Sequence, residues 1–196
     1  MSASRTEPGT GLDLRHVLAQ RVPAAEAEAL ASARFLTLDR RVLITLVALG
    51  DTHARVAAAM GTSPERLRYL LASSARRLRC PARRTAVVHT TYLHAPFPLP
   101  RRADEPPPRL RPLERRVLFA YARGTFQRQL AVDASIPLST LYELDERLRA
   151  KVGARSRTHI IRRAWQLGLF TRSTRTARRL VPDVDPLIPV IRRPTA

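Results

Sequence analysis

The sequence predicts an all-α fold made of two similar four-helix units. Three observations lead to this prediction: apolar residues recur at helical spacing, proline-rich breaks divide the chain, and two segments match without gaps at a fixed offset. The chain has 196 residues and 44% of them are hydrophobic. That fraction is sufficient for a packed core, so we expect folded domains rather than a disordered chain.

Composition changes along the chain divide it into five parts. The segment 96–109 has six prolines in fourteen residues, which predicts an extended, semi-rigid linker. Residues 171–196 are basic and proline-interrupted, which predicts a mostly disordered tail. The predicted parts are a partly helical extension over 1–35, a first domain over 36–95, the linker, a second domain over 110–170, and the tail.

The extension and the first domain contain clear helix signals. Pro23 to Phe35 is rich in Ala and Glu and predicts one helix. The next helix runs from Asp39 to Leu49 and ends at Gly50, and another runs from Thr52 to Met60. Ser63, Pro64 and Glu65 suit the N-cap and first turn of a third helix, and a fourth follows Pro81.

The second domain repeats this order. Its four predicted helices cover Glu114–Arg123, Phe126–Ala134, Leu138–Val152 and Arg157–Leu167. When the chain is shifted by 74 residues, nine of sixty pairs are identical, and the apolar positions match more often than identity alone shows. A shared core pattern at one offset predicts a duplicated unit.

Positive charge is concentrated on the two predicted domains. The chain has 35 Lys and Arg against 16 Asp and Glu, for a net charge of +19. Each domain accounts for +7 of this total, which predicts basic docking surfaces for an anionic partner such as nucleic acid. The third helix of the first domain has apolar residues on one face and arginines on the other, after a short helix and a turn at Gly61. This arrangement is typical of a helix-turn-helix, whose second helix can enter the major groove of DNA.

Both segments resemble the LuxR-type (GerE-type) helix-turn-helix domain. The resemblance is clearest in the second segment, in LERRVLFAYARG and KVGARSRTHIIRRAWQLGLF, and extends to LDRRVLITLVALGDTHARVAAAMG in the first. It implies four-helix DNA-binding domains whose third helix enters the major groove. It also implies pairing through the fourth helices, as a homodimer or as a pseudo-dimer within one chain.

The resemblance implies a DNA-contacting surface in each domain. The implied residues are Thr52, Arg55, Arg66, Arg68, Tyr69, Ser73, Arg76 and Arg77 in the first, and Arg128, Thr140, Tyr142, Arg147 and Lys151 in the second. The second domain departs from the pattern, because Ser135 replaces the turn glycine and Pro137 occupies the N-cap. Residues 64–79 have a net charge of +4 whereas 138–153 are neutral, so we expect the first domain to be the stronger DNA reader.

Several other functions are disfavoured by the sequence. No nucleophile–base pair or glycine-rich phosphate loop is visible, so we expect neither an enzyme nor a bound cofactor. The single cysteine, Cys80, and the scattered histidines lack metal-ligand spacing, so we expect no metal site. No apolar stretch approaches a spanning helix and no signal core is present, which predicts a cytoplasmic, nucleoid-associated protein with no membrane partner.

The preferred hypothesis is a tandem helix-turn-helix transcription regulator that binds double-stranded DNA. The alternative is a protein-interaction module whose degenerate repeats pair with another regulator or with RNA polymerase. A third hypothesis, nonspecific coating of the chromosome, rests on charge alone.

Overall fold

Among the described residues, all regular secondary structure is α-helical. The computed structural model describes residues 12–94 and 96–172, which contain ten α-helices and no β-strand. The prediction of an all-α protein is therefore confirmed. The predicted disordered tail lies outside the described residues, except for its first two positions.

The N-terminal extension contains two helices, α1 (Leu14–Ala19) and α2 (Ala24–Ser32). The helix predicted from Pro23 corresponds to α2, whereas α1 was not predicted, because a six-residue helix is too short for a periodic pattern to be visible. The Asp13 side chain caps α1 by accepting the N–H of Arg15 at 2.9 Å. The two helices pack against each other and against the next helix of the chain.

Four helices follow, which we call the first unit. They are α3 (Leu38–Ala48), α4 (His53–Ala59), α5 (Pro64–Leu78) and α6 (Arg84–Leu93). Every residue of α3 from Arg41 to Ala48 is buried, because α1 and α2 cover one side of it while α5 and α6 cover another. This helix is therefore the centre of the first unit.

Four further helices form the second unit. They are α7 (Pro112–Arg123), α8 (Gln127–Asp133), α9 (Leu138–Val152) and α10 (Arg157–Gln166). The start of α7 is capped by a residue of its own first turn, because the buried carboxylate of Glu114 accepts the N–H of Arg111 at 2.8 Å. The packing order matches that of the first unit, with α7, α9 and α10 in mutual contact as α3, α5 and α6 are.

The helices of the two units correspond closely in position. The helices α3, α4 and α5 begin 74 residues before α7, α8 and α9, but α6 begins only 73 residues before α10. The gapless alignment is therefore wrong by one residue in the fourth helices, because the turn before α10 is one residue shorter than the turn before α6. With this correction the fully buried Val87 and Val88 correspond to the fully buried Ile160 and Ile161.

The two units share one hydrophobic core. Helix α6 packs against α7 and α10, and α10 packs against α3, so the fourth helix of each unit lies against the other unit. Buried residues from both units and from the extension belong to a single cluster. The units are therefore packed directly on each other.

The contact between the units is reciprocal at the level of single residues. A Cβ added to Gly50 would lie 3.0 Å from Ser156 Oγ and 3.2 Å from His159 Cβ. A Cβ added to the matching Gly124 would lie 2.9 Å from Ala86 Cβ and 3.2 Å from the Cβ of Arg83. Arg83 and Ala86 precede Ser156 and His159 by the 73 residues that relate α6 to α10. Such a pattern, in which the same patches meet in both directions, is typical of a two-fold related interface.

A buried ion pair connects the extension to this interface. Arg162 on α10 and Glu26 on α2 are nearly inaccessible to solvent, and their side chains meet at 2.8 Å. Arg162 also donates to the hydroxyl of Tyr92 on α6 at 3.2 Å. Three separate parts of the chain therefore converge on one buried guanidinium.

The proline-rich segment 96–109 contains no helix and lies along the second unit. Phe97 is buried beside Tyr92, and the N–H of Ala103 donates to the carbonyl of Gln166 at 2.9 Å. The guanidinium of Arg172, the tail arginine within the described residues, donates to the carbonyls of Tyr92 and His94. These backbone contacts hold Phe97, Ala103 and Arg172 against the shared core.

Candidate nucleic-acid interface

Helix α5 presents an arginine-rich face to solvent. Its start is fixed by Ser63, whose hydroxyl accepts the N–H of Arg66 at 3.1 Å, and by Pro64 in the first turn. Its apolar residues, among them Leu67 and Leu78, are buried against α3, α4 and α6. The predicted DNA-contacting residues that are exposed on the opposite face are Arg66, Arg68, Tyr69, Arg76 and Arg77.

Most of the charge on this face is not neutralised within the protein. Arg68 pairs with Glu65 at 2.5 Å, and the guanidinium of Arg66 lies 5.5 Å from the ring centre of Tyr69. Arg76 and Arg77 form no ion pair with any of the residues that the structure describes. Their guanidinium donors are therefore accessible to an external anion.

The remaining predicted residues of the first unit lie close to this face. Thr52 and Arg55 are exposed at the start of α4, where the Thr52 hydroxyl accepts the N–H of Arg55 at 3.3 Å. Ser73 is half-buried on α5, and its hydroxyl donates to the carbonyl of Leu70 while it accepts from Arg40 at 3.2 Å. The Ser73 hydroxyl is thus occupied within the protein, in contrast to the exposed arginines.

The turn before α9 has the same backbone conformation as the turn before α5. Gly61 has a positive φ of 57°, and the corresponding Ser135 has a φ of 51°. A serine in this region is strained relative to glycine, yet the chain still makes the turn. Pro137 occupies the N-cap of α9 and provides no side-chain hydrogen bond, unlike Ser63. The sequence departures at Ser135 and Pro137 therefore leave the path of the backbone intact.

All three basic residues of α9 have acidic partners. Arg147 lies 3.9 Å from Glu143, Arg149 lies 3.3 Å from the buried Asp145, and Lys151 lies 2.6 Å from Glu114. Of the other predicted residues of the second unit, Arg128 and Tyr142 are exposed and Thr140 is half-buried.

The positive charge of Lys151 is paired within the protein and is not free for an external anion. Its ammonium contacts Glu114, which is 1% exposed. Burial acts to raise the pKa of Glu114, but hydrogen bonds from Lys151 and from the backbone of Arg111 outweigh it and lower the pKa. The Lys151 charge therefore stabilises a buried carboxylate at the start of α7.

A basic cleft separates the two long helices. It has a volume of about 820 Å³ and lies where the N-termini of α6 and α10 meet. Four consecutive residues from each of these ends line it, 82–85 and 155–158, and they are related by the 73-residue offset. Side chains from both α5 and α9 also reach its walls. Its arginines are Arg68, Arg83, Arg84, Arg149, Arg155 and Arg157.

Sequence reasoning identified only one of these six arginines, Arg68, as a candidate site residue. Of the five missed arginines, Arg149 lies on α9, and the other four lie in the turns before the fourth helices or at the first residues of those helices. A usable signal was present, because Arg84 and Arg157 stand at equivalent helix starts once the one-residue shift is applied.

Comparisons with protein-family models, with curated proteins and with solved structures found no match to this chain. Among the described residues, no group of His, Cys, Asp or Glu could hold a metal ion, and no helix is long and apolar enough to cross a membrane.

Proposed function

We propose that the chain is a transcription regulator that binds duplex DNA through α5 and α9, with α5 dominant. The observation that carries the proposal is the contrast between these two helices. The outward arginines of α5 include Arg76 and Arg77, which have no ion pair among the described residues, whereas each basic residue of α9 has a carboxylate partner. Unpaired arginines on an exposed helix bind backbone phosphates and guanine edges well.

The reciprocal contact between the units supports this proposal. A two-fold arrangement of two reading helices suits two half-sites on one duplex. The contact through α6 and α10 is the intramolecular counterpart of the dimer pairing that the LuxR-type resemblance implies. On this hypothesis one chain binds as a pseudo-dimer, and its place in the cell is the nucleoid.

Gel shifts with genomic duplex fragments test the proposal. Arg76→Ala and Arg77→Ala should each weaken binding by about tenfold, because each removes a charge-assisted hydrogen bond to DNA from a guanidinium that has no carboxylate partner among the described residues. Arg147→Ala should have a much smaller effect, since Glu143 already pairs with Arg147. Equal losses in the three variants would contradict the dominance of α5.

The second candidate function is a protein-interaction module that pairs with another regulator or with RNA polymerase. The specific observation in its favour is a set of exposed apolar residues on and beside α8 and α9. Val132 is 73% exposed, Phe126 59% and Tyr142 49%, next to a helix whose basic residues are paired. Exposed apolar side chains beside a neutral helix suit a protein partner better than DNA.

A pull-down without DNA separates the two candidate functions. Val132→Lys is the informative variant, because its side chain is the most exposed of the apolar three and the substitution should not disturb the fold. Loss of a captured transcription protein with unchanged gel shifts would favour the interaction module. Loss of DNA binding in Arg76→Ala, with no captured partner, would favour the regulator.

A further inference from the structure

The cleft between α5 and α9 has an excess of positive charge that its own acids do not balance. Six arginines line it against two carboxylates, Asp51 and Asp145. Asp51 also pairs with Arg21 outside the cleft lining, and Asp145 is shared between Arg149 and Arg157. At least three guanidinium charges in this confined space therefore lack a carboxylate within the described residues.

Arg84 at the start of α6 and Arg155 just before α10 have N–H donors that are not used within the described residues. Arg84 is exposed and forms no ion pair with the described residues. Arg155 uses one nitrogen to donate to the carbonyl of Leu49 at 2.9 Å, which holds the side chain across the boundary between the units. A guanidinium has five N–H donors in a fixed plane, so most of the donors of Arg84 and Arg155 are unused.

The ends of α6 and α10 add to the same positive field. The cleft lies at the N-termini of these ten-residue helices, where backbone N–H groups carry partial positive charge. His53 in the cleft wall responds to the surrounding charge, because burial, and then Arg84 and Arg68, lower its pKa. A neutral His53 leaves the arginines as the charged groups that dominate the cleft.

The size of the cleft indicates what could enter it. A volume of about 820 Å³ is in the range of small-molecule sites. A duplex would cover the mouth of the cleft without filling it, whereas a compact polyanion would contact both walls at once. Arginines from both units would then hold one ligand, and the paired geometry of guanidinium groups suits phosphate oxygens.

We propose that this cleft binds a small anion with several phosphate groups, with Arg84 and Arg155 as its principal contacts. The proposal goes beyond DNA binding and does not depend on it. Because Arg155 belongs to the second unit and Arg84 to the first, the ligand would bridge the units directly. Bound there, it would also occupy Arg68, which the proposed DNA surface uses.

Isothermal titration of the full chain with inorganic triphosphate at physiological ionic strength tests the proposal. Wild-type protein should bind one triphosphate, and Arg84→Gln and Arg155→Gln should each weaken binding by about tenfold. Arg34→Gln is the matched control, because Arg34 is exposed on the extension, away from the cleft, and the substitution changes net charge equally. The control should retain wild-type affinity for triphosphate.

A second readout separates a built site from diffuse attraction. Triphosphate should raise the pKa of His53, because a bound anion offsets the positive charge of the arginines that lower this pKa. NMR titration of the His53 ring measures the change. Equal weakening in Arg34→Gln and Arg84→Gln, or an unchanged His53 pKa, would overturn the proposal. A third result would also overturn it: wild-type protein does not bind triphosphate, but Arg84→Gln weakens duplex binding. In that case the arginines of the cleft bind DNA phosphates instead.

Discussion

At the residue scale, arginines of this protein occupy several different environments. Arg41 is 6% exposed and donates to backbone carbonyls at the end of α2, whereas Arg115, its identical partner in the alignment, is exposed. Burial lowers the pKa of Arg41 despite the nearby Asp39. Sequence pattern alone did not separate these two arginines, because the difference depends on the extension, which packs against α3 and provides the carbonyls that accept from Arg41.

The buried ion pair between Glu26 and Arg162 should be important for stability. Glu26→Ala leaves Arg162 buried without its carboxylate, so the free energy of unfolding should fall by about 3 to 5 kcal/mol. The double variant Glu26→Leu, Arg162→Met should recover most of this loss, because it removes both charges. Urea unfolding followed by circular dichroism measures the effect.

Glu28→Ala is the matched control for this prediction, since Glu28 is exposed on the same helix. Its free energy of unfolding should stay close to that of the wild type. A loss in Glu26→Ala no larger than that in Glu28→Ala would show that the buried pair does not stabilise the fold.

The half-buried His89 should make stability depend on pH. Burial lowers the pKa of His89 to about 4. Its Nδ1 accepts a hydrogen bond from the indole N–H of Trp165 at 3.2 Å. The unfolded chain protonates this histidine near pH 6.5, but the folded chain does so only near pH 4. The free energy of unfolding should therefore fall as pH decreases from about 6.5 to 4.

Urea unfolding at several pH values, with His89→Gln as the comparison, measures this dependence. The variant keeps an acceptor for Trp165 but has no titrating ring, so its stability should fall less steeply with decreasing pH. His159, whose pKa burial and nearby arginines also lower to about 4, should account for part of the remaining slope. Identical slopes in wild type and His89→Gln would exclude His89 as a source of the dependence.

At the element scale, the sequence predicted most helices to within two residues. The signals were strong because α5 and α9 have apolar residues at helical spacing and both end at positions of positive φ. The sequence did not predict α1 or the one-residue shift in the fourth helices. Both depend on tertiary contacts, since α1 is stabilised by packing on α2 and α3 and the shift concerns a turn.

Two glycines at helix ends should be sensitive to substitution because they form the contact between the units. Gly124→Ala places a methyl group 2.9 Å from the Cβ of Ala86 and requires a φ of 78°. We expect a loss of about 2 kcal/mol or more, from backbone strain together with overpacking. Gly50→Ala should behave similarly, with its closest contact at Ser156.

Gly61→Ala is the matched control for the glycine prediction. Its φ of 57° is also positive, but its added Cβ would meet no atom closer than 3.8 Å. The free energy of unfolding of Gly61→Ala should fall by only about 1 kcal/mol, which is the cost of backbone strain alone. Thermal unfolding of the three variants measures the difference, and a loss in Gly61→Ala as large as that in Gly124→Ala would indicate that the interface is not closely packed.

At the scale of the whole molecule, the extension and the two units form one packed body. The shared core and the reciprocal contact through α6 and α10 fix α5 and α9 relative to each other. The sequence predicted the two units and their charge, but it did not predict the basic cleft between them. The cleft results from how the units pack, which no local pattern encodes.

The net charge of +19 is the property that most directly connects structure to the proposed function. If α5 binds backbone phosphates, duplex affinity should fall steeply as salt increases, because binding releases counterions from DNA. Each lost phosphate contact should reduce the slope of log affinity against log salt by about 0.9. Substitution of arginines on α5 should therefore change the slope. Substitution of a basic residue on α9, where each is already paired with a carboxylate of the protein, should not.

The most direct test is the salt dependence of duplex binding by the full chain, measured by fluorescence anisotropy between about 50 and 200 mM salt. We expect a steep slope for wild type, a slope smaller by about two for Arg76→Gln combined with Arg77→Gln, and a wild-type slope for Arg147→Gln. An affinity that does not change with salt would contradict the proposed function. Equal slope changes in the α5 and α9 variants would contradict the dominance of α5.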